Sequence, residues 1–397
     1  MTIRWFLSRK VRLAAEMFKH VQKLLNAQRD ILSPPAIAAV SDSLAQTKKA
    51  IDSHTSIEAL EKQVAELEAT ANKWLKPYPN HAWRENVEVL LVAIAVAMAI
   101  RTFFLQPFKI PTGSMQPTLY GVTLEPFSEL PNRFERIKDA FVQGAFYHHL
   151  VAEEDGQLVK IGPAQHFLKF INKQTFTMEY LAGPQPVIKN YTLWFTPDEE
   201  KQFEFLRAAG LQEGKPFRKG EEIIKLKEIT GDHLFVDRMT YNFRHPRRGE
   251  IIVFKTAGIQ HPNMRQDQFY IKRLVALGSE HVRIGNDRHL IIDGKRLDAA
   301  TPHFENVYSF TGPPQESHYS GHVNGLFGPV LTPNFPDESQ EYIVATNHYM
   351  VMGDNTINSF DSRGWGDFPR ENVIGKSYFI YWPIANRGGS RFGWGYR

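Results

Sequence analysis

The sequence contains no cysteine, so no disulfide bridge can stabilise the fold. Stability must then come from a hydrophobic core, for which a chain of 397 residues is long enough. The formal net charge of +4 is too small to indicate a nucleic-acid partner. The 15 histidines follow no His-Glu-x-x-His or other metal-ligand spacing, and no phosphate-binding glycine loop is present. We therefore expect neither a metal nor another cofactor.

A candidate nucleophile lies in residues 110–119, Ile-Pro-Thr-Gly-Ser-Met-Gln-Pro-Thr-Leu, directly after an apolar run. Pro111 and Pro117 exclude a regular helix there, and Gly113 permits backbone angles that other residues resist. Ser114 is therefore expected on a constrained turn that presents its hydroxyl. The alternative is a connector between a helix and a globular domain. Because no Gly-x-Ser-x-Gly or His-based pattern is present, Ser114 needs a different base.

The best candidate base is Lys272, in the middle of residues 268–277, Gln-Phe-Tyr-Ile-Lys-Arg-Leu-Val-Ala-Leu. This composition predicts a buried strand. An apolar environment lowers the pKa of a lysine, whereas an arginine stays charged. Arg273, which points to the opposite face of the strand, is therefore not the base. The alternative is a solvated strand face or a salt-bridge partner.

Four separated blocks resemble bacterial signal peptidase I, the membrane-bound leader peptidase with a Ser/Lys pair, and they occur in that family's order. Residues 110–119 resemble its nucleophile segment, and residues 231–238 with 246–254 resemble its central strand pair. Residues 270–278 resemble its lysine segment. Residues 353–364, Gly-Asp-Asn-Thr-Ile-Asn-Ser-Phe-Asp-Ser-Arg-Gly, resemble its late Gly-Asp-Asn segment. Together the similar regions cover somewhat under half of the chain.

The resemblance implies a role for each matching position. Ser114 is the nucleophile, Lys272 is the general base and later the general acid, and Ser359 orients the lysine amine. The Ser114 N–H and the Thr112 hydroxyl stabilise the oxyanion. The residues implied in a shallow apolar pocket for the side chain before the cut, which selects small side chains, are Ile110, Pro111, Leu119, Tyr270 and Ile271. The residues implied in supporting the site are Asp361, Arg363 and Asp354. An ordinary surface ion pair is the alternative for Asp361 and Arg363.

Two segments depart from the family pattern. Residues 276–280, Ala-Leu-Gly-Ser-Glu, stand where the family usually shows Gly-x-Pro-Gly-Asp, and Thr356 stands where arginine is common. The first is expected to be a turn between strands and the second a buried or half-buried ion-pair position. We therefore expect altered loop packing without loss of the chemistry.

The only long apolar segment, residues 89–100, corresponds to about 18 Å of helix, short of the ~30 Å hydrocarbon core. Extension to residues 86–108 reaches a workable length for one transmembrane anchor, with Arg101 snorkelling to the interface. A buried helix of a soluble domain is the alternative, and a cleavable signal peptide is not expected so far from residue 1. A modest excess of positive charge before the span places residues 1–85 in the cytoplasm. The catalytic domain is then on the extracytoplasmic side of a bacterial inner membrane.

Residues 1–85 are expected to form a helical region. Pro34 and Pro35 separate a first helix from a second. A heptad-like series favours an intramolecular helical hairpin over oligomerisation; its members are Ile57, Leu60, Val64, Leu67, Ala71 and Trp74. The first helix is equally compatible with lying on an anionic membrane surface; its apolar residues are Trp5, Phe6, Leu13, Met17, Val21 and Leu24.

The remaining chain predicts a mainly β fold, a twisted antiparallel β scaffold of the signal-peptidase type preceded by the helical region and the anchor. Short strands are expected at residues 235–236, 251–254, 282–284, 289–292, 349–352 and 378–382. The expected domains are a nucleophile segment (109–124), an inserted α/β subdomain (125–228) and a catalytic β core (229–385), with a surface insertion at about 301–337. In the inserted subdomain, Thr196 is expected to cap a helix that ends at Gly210. Residues 386–397 are interpreted as a solvated basic aromatic tail, with lipid-headgroup contact as the alternative.

These features predict a serine endopeptidase that removes N-terminal signal peptides from exported preproteins, cutting after small residues. Its expected partners are exported preproteins and membrane lipid, with the protein-export machinery nearby and no nucleic acid. One alternative is a dedicated Ser/Lys processing peptidase with few substrates, which the long insertion keeps open. The other is a catalytically silent preprotein-binding homologue. The presence of all four residues implied in catalysis argues against a silent homologue.

Overall fold

The computed structural model describes residues 8–53, 56–76, 81–167, 171–181, 185–309, 321–386 and 389–394. Trp5 and Phe6, the middle of the second insertion (310–320) and the last three residues lie outside this part. The chain divides into two compact units, Met1–Ile94 and Ala95–Arg397. The helices, in chain order, are α1 (Arg9–Gln28), α2 (Pro34–Asp52), α3 (Ile57–Trp74), α4 (His81–Ala99), α5 (Arg133–Gln143), α6 (Gln202–Ala208), α7 (Thr240–Phe243) and α8 (Ser362–Trp365).

The first unit packs α1, α2 and α3 together. Pro34 is the first residue of α2, a position where proline is tolerated because that N–H has no helical partner. Buried apolar side chains from all three helices meet, among them Val21 of α1, Val40 of α2 and Leu67 of α3. The predicted helical region is therefore three helices rather than a two-helix hairpin. Leu67 belongs to the predicted heptad-like series, so this series faces the other helices of the same chain.

Helix α4 carries the apolar run and continues through one π-helical turn, Ile100–Phe104. The segment Trp83–Phe104 is 22 residues long, has a mean hydropathy of 2.2 and is not buried in the protein. The segment is thus long and apolar enough to cross a membrane. The predicted end at residue 108 differs from the structure, because a strand begins at Leu105.

The second unit is mostly β structure, which confirms the predicted fold class. Its strands, in chain order, are β1 (Leu105–Lys109), β2 (Thr123–Pro126), β3 (Ala145–Val151), β4 (Gly156–Ile161), β5 (Gln165–Phe167), β6 (Ile171–Tyr180), β7 (Val187–Trp194), β8 (Pro216–Phe217), β9 (Glu222–Ile229), β10 (His233–Asp237), β11 (Ile251–Lys255), β12 (Phe269–Leu277), β13 (His281–Ile284), β14 (Leu290–Ile292), β15 (Lys295–Arg296), β16 (Tyr342–Ile343), β17 (His348–Met352), β18 (Phe368–Pro369), β19 (Val373–Trp382), β20 (Ala385–Asn386) and β21 (Gly389–Ser390).

The main sheet has the strand order β1-β10-β19-β11-β12-β17-β18, and its pairs are antiparallel. All six predicted strand segments fall on strands, four of them in this sheet. Strand β12 is paired with β11, where Lys272 lies opposite Ile252, and farther along with β17, where Arg273 lies opposite Met352. Lys272 is thus paired on the β11 side only, whereas Arg273 is paired with both β11 and β17.

The turn after β12 has the predicted location but a strained residue. Ser279, which stands where the family pattern has glycine, has a φ of 70°, in the left-handed region that favours glycine. The Glu280 carboxylate accepts a hydrogen bond from the Leu277 N–H at 2.7 Å and pairs with Arg248. These contacts hold the turn in place without the usual Pro-Gly.

The second insertion is not a surface loop layer in its described part, so that expectation is wrong. Phe304 and Phe335 are fully buried and pack with Val282 of β13 and Met350 of β17 in one hydrophobic cluster. A small sheet, β15-β14-β13-β16, forms the other wall of this cluster. Because the insertion is rich in Pro and Gly, its sequence indicated a loop and did not mark Phe304 and Phe335 as core residues. In the structure they fill the space between the two sheets.

The inserted segment 125–228 has a hydrophobic cluster of its own, built on residues such as Phe176, Met178 and Phe205. Two sheets contribute, β2-β9-β3 and β5-β6-β4-β8, with β7 paired to β6. The predicted helix starts later than Thr196, because a 3-10 turn at Glu199–Lys201 precedes α6. Sequence reasoning missed α5, although a capping box between Asn132 and Glu135 marks its start.

The interpretation of residues 386–397 as a solvated tail holds only in part for the described residues: Gly389, Ser390, Phe392 and Trp394 are exposed, whereas Arg391 is buried. Arg391 forms an ion pair with Asp232, a fully buried residue directly before β10. Trp394 packs edge-on against Phe379 of β19, with ring centroids 4.6 Å apart. The segment is therefore part of the fold. The sequence does not reveal the pairing because 159 positions separate Arg391 from Asp232.

We predict that Arg391→Leu lowers the free energy of unfolding of the second unit by about 3–5 kcal/mol, because it leaves the Asp232 carboxylate buried without its counter-charge. Urea unfolding followed by tryptophan fluorescence measures this change. Arg247→Leu removes an exposed arginine and is the matched control, expected to change stability by less than about 0.5 kcal/mol. Equal stability of both variants would contradict a structural role for the tail.

Candidate active site

Ser114 lies in a single 3-10 turn, Gly113–Met115, that is held from two sides. The Asn355 side chain donates a hydrogen bond to the Gly113 carbonyl, and the Asn355 N–H donates one to the Ser114 carbonyl, both at 3.0 Å. Met115 next to it is fully buried in the core. The serine is thus on a constrained turn, as the sequence predicts, and it is 6% exposed.

Lys272 reaches Ser114 from the middle of β12. Its Nζ lies 2.8 Å from the Ser114 Oγ and 3.1 Å from the Ile271 carbonyl oxygen. The side chain is only 5% exposed, so the alternative of a solvated strand face does not apply. Burial lowers the pKa of Lys272 from its usual 10.5 to about 8, partly opposed by the carboxylates of Asp361 and Asp354.

Arg273 points away from Lys272, as expected, into the interior behind the sheet. Its Nε and Nη2 donate to the two carboxylate oxygens of Asp354 at 2.8 and 2.6 Å. The same carboxylate accepts a hydrogen bond from the Thr118 hydroxyl. This bidentate pair is buried on both sides, so Asp354 connects β12 to the segment that follows Ser114.

A second buried ion pair joins Asp361 and Arg363. The Arg363 Nε and Nη2 donate to Asp361 at 2.9 and 2.8 Å, and neither side chain is exposed. Burial acts to raise the pKa of Asp361, but Arg363 and the Gly353 N–H outweigh it, and the pKa of Asp361 stays below its usual value. The alternative of an ordinary surface pair does not apply, because both groups are buried.

Gly353 fits closely between two parts of the site. A Cβ atom at this position would lie 2.2 Å from the Ser359 Oγ and 2.4 Å from the Ser114 carbonyl oxygen. Only a residue without a side chain allows these groups to approach. The Ser359 hydroxyl is buried and meets no hydrogen-bond geometry with any described residue. The structure thus shows no hydrogen bond between Ser359 and Lys272.

Thr356, where the family often has arginine, ties the second insertion to Arg363. Its hydroxyl oxygen accepts hydrogen bonds from Arg363 Nη1 and from the Val323 N–H, both at 2.8 Å. Arg363 Nη2 also donates to the Thr356 carbonyl at 2.8 Å. The departure from the family pattern is therefore accommodated by the insertion, which was expected to lie at the surface.

A cavity of about 410 Å³ opens at Ser114 and Lys272. Of the residues predicted to form the pocket, Pro111, Tyr270 and Ile271 line this cavity. Ile110 and Leu119 do not; they are buried in a core cluster with Met115. The Thr112 hydroxyl also faces the cavity and lies 3.4 Å from the Ser114 Oγ.

Several lining residues were missed from the sequence. They are Arg265, Gln268, Phe269, Asn358 and Phe360. Their positions next to the lysine strand and the late Gly-Asp-Asn segment were the available signal. The conformation of the β11–β12 loop could not be predicted from nearness in sequence. In the structure this loop packs against the late segment, with the ring centroids of His261 and Phe360 4.9 Å apart.

Comparison with known proteins agrees with this geometry. The family described as "Signal peptidase, peptidase S26" matches residues 83–134 and 226–382, more than half of the chain. The chain is 30% identical over 169 residues to signal peptidase I of Leptolyngbya laminosa, which covers 42% of this chain and 68% of that protein. It is 30% identical over 161 residues to probable signal peptidase I-2 of Synechocystis sp., covering 40% and 58%.

A crystal structure of a signal peptidase I from Enterococcus faecalis V583 has 26% sequence identity, covers 34% of this chain and 97% of that chain, and has a TM-score of 0.23. The chain spans from 34% to 68% of the length of the two relatives above and of probable thylakoidal processing peptidase 2 of Arabidopsis thaliana. Both family-matched ranges include residues that line the cavity, and the inserted segment lies mostly between them. The chain belongs to the S26 signal peptidase family.

Proposed function

We propose that this protein is a signal peptidase I that hydrolyses one peptide bond in exported preproteins with Ser114 and Lys272. The observation that carries the proposal is the 2.8 Å contact between the Lys272 Nζ and the Ser114 Oγ inside the protein. A hydroxyl is a weak nucleophile until a base takes its proton. The lowered pKa of about 8 leaves about a tenth of the amine neutral at pH 7, far more than an ordinary lysine has.

The reaction then runs in two halves. Neutral Lys272 accepts the Ser114 proton as the Oγ forms a bond to the scissile carbonyl carbon, and the carbonyl oxygen becomes an oxyanion. When the C–N bond breaks, the Lys272 ammonium gives its proton to the leaving amine, and an ester joins the signal peptide to Ser114. A water then attacks this ester, with Lys272 as base again, and releases the signal peptide as a carboxylate.

Oxyanion stabilisation is assigned to groups beside Ser114. The Ser114 N–H makes no hydrogen bond to any described residue, so it is available to the oxyanion. The Thr112 hydroxyl, 3.4 Å from the Ser114 Oγ at rest, is the second donor. Hydrogen-bond donors already in place lower the barrier because they need no reorganisation during the reaction.

The remaining polar residues position the pair. The Arg273–Asp354 and Arg363–Asp361 pairs fix the segment on which Gly353 and Ser359 lie, and Asn355 of that segment holds the Ser114 turn. We assign Ser359 to orientation of the lysine amine once substrate excludes water from the cavity. Pro111, Tyr270 and Ile271 are assigned to a shallow pocket that selects small side chains before the cut.

Membrane attachment is part of the proposal. The 22-residue segment Trp83–Phe104 is apolar and unburied, and we assign it as the single transmembrane anchor. With residues 1–85 in the cytoplasm, the catalytic unit lies on the extracytoplasmic side, where preproteins emerge. The inserted segment 125–228 has its own hydrophobic cluster and lies with residues 229–385 in the second compact unit.

The first prediction tests the reaction. The full chain in detergent micelles is expected to cut a preprotein after a small residue, which sequencing of the new N-terminus identifies. Ser114→Ala and Lys272→Ala are each expected to reduce kcat by at least about a thousandfold, and the double variant no further, because groups that act as a unit are not additive. Ser53→Ala, in the first unit, is the matched control with unchanged activity.

The same assay separates the alternatives. Near-normal turnover by Lys272→Ala would identify a different base. Cleavage of only one or two among many exported preproteins would favour a dedicated processing peptidase, which the inserted segment keeps open. Binding of preproteins without cleavage would favour a silent homologue.

The second prediction concerns pH. Because the base must be neutral, kcat/KM is expected to rise about tenfold per pH unit below an apparent pKa of about 8 and to level off above it. Lys272→Arg should be inactive, since a guanidinium stays charged. A rate that is independent of pH between 6 and 9 while chemistry is rate-limiting would rule out Lys272 as the base.

The third prediction concerns Gly353. Gly353→Ala is expected to lower kcat by at least about a hundredfold, because the new methyl group displaces the Ser114 turn or Ser359, and small misplacements of reacting groups are costly. Gly328→Ala is the matched control, since the atoms nearest to its added Cβ lie 3.8 Å away. Equal kcat values for the two variants would show that the close approach at Gly353 does not position the site.

A further inference from the structure

The cavity at Ser114 has an unusual charge balance. Two basic side chains line it, those of Lys272 and Arg265, and no carboxylate does. Burial lowers the pKa of Lys272 to about 8, so the catalytically competent lysine is neutral. In that state Arg265 carries the one formal charge among the described residues that line the cavity.

Arg265 lies on the loop between β11 and β12, which buried contacts anchor. The buried Thr256 hydroxyl donates to the Arg265 carbonyl at 2.7 Å and accepts from the Gln268 N–H at 3.0 Å. The neighbouring Met264 is 6% exposed and anchors the loop in the core. The Arg265 backbone is therefore fixed relative to β12, while the side chain faces the cavity.

The Arg265 guanidinium has no counter-charge. In the described part of the chain, no carboxylate lies within 4 Å of it, whereas Arg244 and Arg248, on the loop that precedes β11, are both paired with glutamates. Arg265 is exposed to solvent at the cavity, and its planar guanidinium can form two parallel hydrogen bonds to a carboxylate that enters beside it.

We propose that Arg265 is a specificity-determining residue that binds an aspartate or glutamate side chain of the preprotein close to the bond that is cut. This inference rests on the proposed function. It adds a substrate feature, an acidic residue near the cut, that the proposed function does not specify. The ion pair would be bidentate, guanidinium to carboxylate, and would favour preproteins with an acidic residue over those with a neutral one at the same position.

The spacing limits where that acidic residue lies. Strand β12 pairs with β11 through Phe269–Arg273, but its pairing with β17 begins only at Arg273, so its edge toward the cavity is open from Phe269 to Lys272. A peptide extended along this edge advances about 3.3 Å per residue. From Ile271 beside the reacting bond, the open edge ends two residues back at Phe269, and Arg265 lines the cavity beyond that end. We therefore place the acidic residue three to five positions from the cut.

The experiment is a scan with the full chain in detergent micelles. A preprotein that the enzyme cuts is made with Asp or Asn at each of the five positions before and after the cut, and kcat/KM is measured for each pair at about 50 mM salt. One position, three to five residues from the cut, is expected to favour Asp over Asn by about three- to tenfold. The side of the cut on which it falls reports the direction of the bound peptide.

Variants connect this preference to Arg265. In Arg265→Gln the ratio of kcat/KM for Asp over Asn is expected to fall to about one, and in Arg265→Glu a Lys at that position is expected to become preferred. Arg247→Gln, which removes one equally exposed positive charge outside the cavity lining, is the matched control that keeps the wild-type ratio. Raising the salt to 500 mM should reduce the wild-type ratio, because salt screens the ion pair.

The outcomes are distinct. A wild-type enzyme that cuts the preprotein but shows no Asp preference at any scanned position overturns the inference and leaves the proposed function standing. An Asp preference that survives in Arg265→Gln, or that Arg247→Gln removes equally, also overturns it. A wild-type chain that cuts no preprotein overturns the proposed function and this inference with it.

Discussion

The site depends on keeping one lysine amine out of water and next to one hydroxyl. Removing an ammonium ion from water costs several kcal/mol, and a protein lowers this cost by releasing the proton. That is why burial shifts the pKa of Lys272 to about 8. Strand β11 pairs with β12 at Lys272, and β17 joins on the other side from Arg273 onward, so the backbone that carries the amine is fixed. The surrounding core thus favours the neutral form of the Lys272 amine.

For the Lys272 amine to stay neutral, the buried carboxylates near it must be compensated by fixed positive partners. The carboxylates of Asp354 and Asp361 both act to raise the pKa of Lys272, and each is held in a bidentate pair with an arginine. Without these arginines, the two buried carboxylates would favour the ammonium form. The pairs therefore supply rigidity and charge compensation together, and Thr356 connects one of them to the second insertion.

Local sequence signals predicted the strands of the main sheet, the turn at Ser114 and the buried strand at Lys272. Pro111, Pro117 and Gly113 define the turn, and the apolar run around Lys272 defines a buried strand. The failures share a different cause. Ile110 and Leu119 are adjacent to the turn in sequence but belong to the core, and Arg391 pairs with a residue 159 positions away. Such contacts depend on tertiary packing, which neither periodicity nor motif spacing encodes.

The passage from helix to strand has a mechanical consequence. The helical segment ends at Phe104 and β1 begins at Leu105, with no linker between them. Even a fully extended chain from Phe104 to Ser114 is no longer than about 35 Å. If the helix crosses the bilayer, this segment limits how far Ser114 can lie from the membrane surface. A peptide that reaches the cavity at Ser114 must then lie within that distance of the lipid.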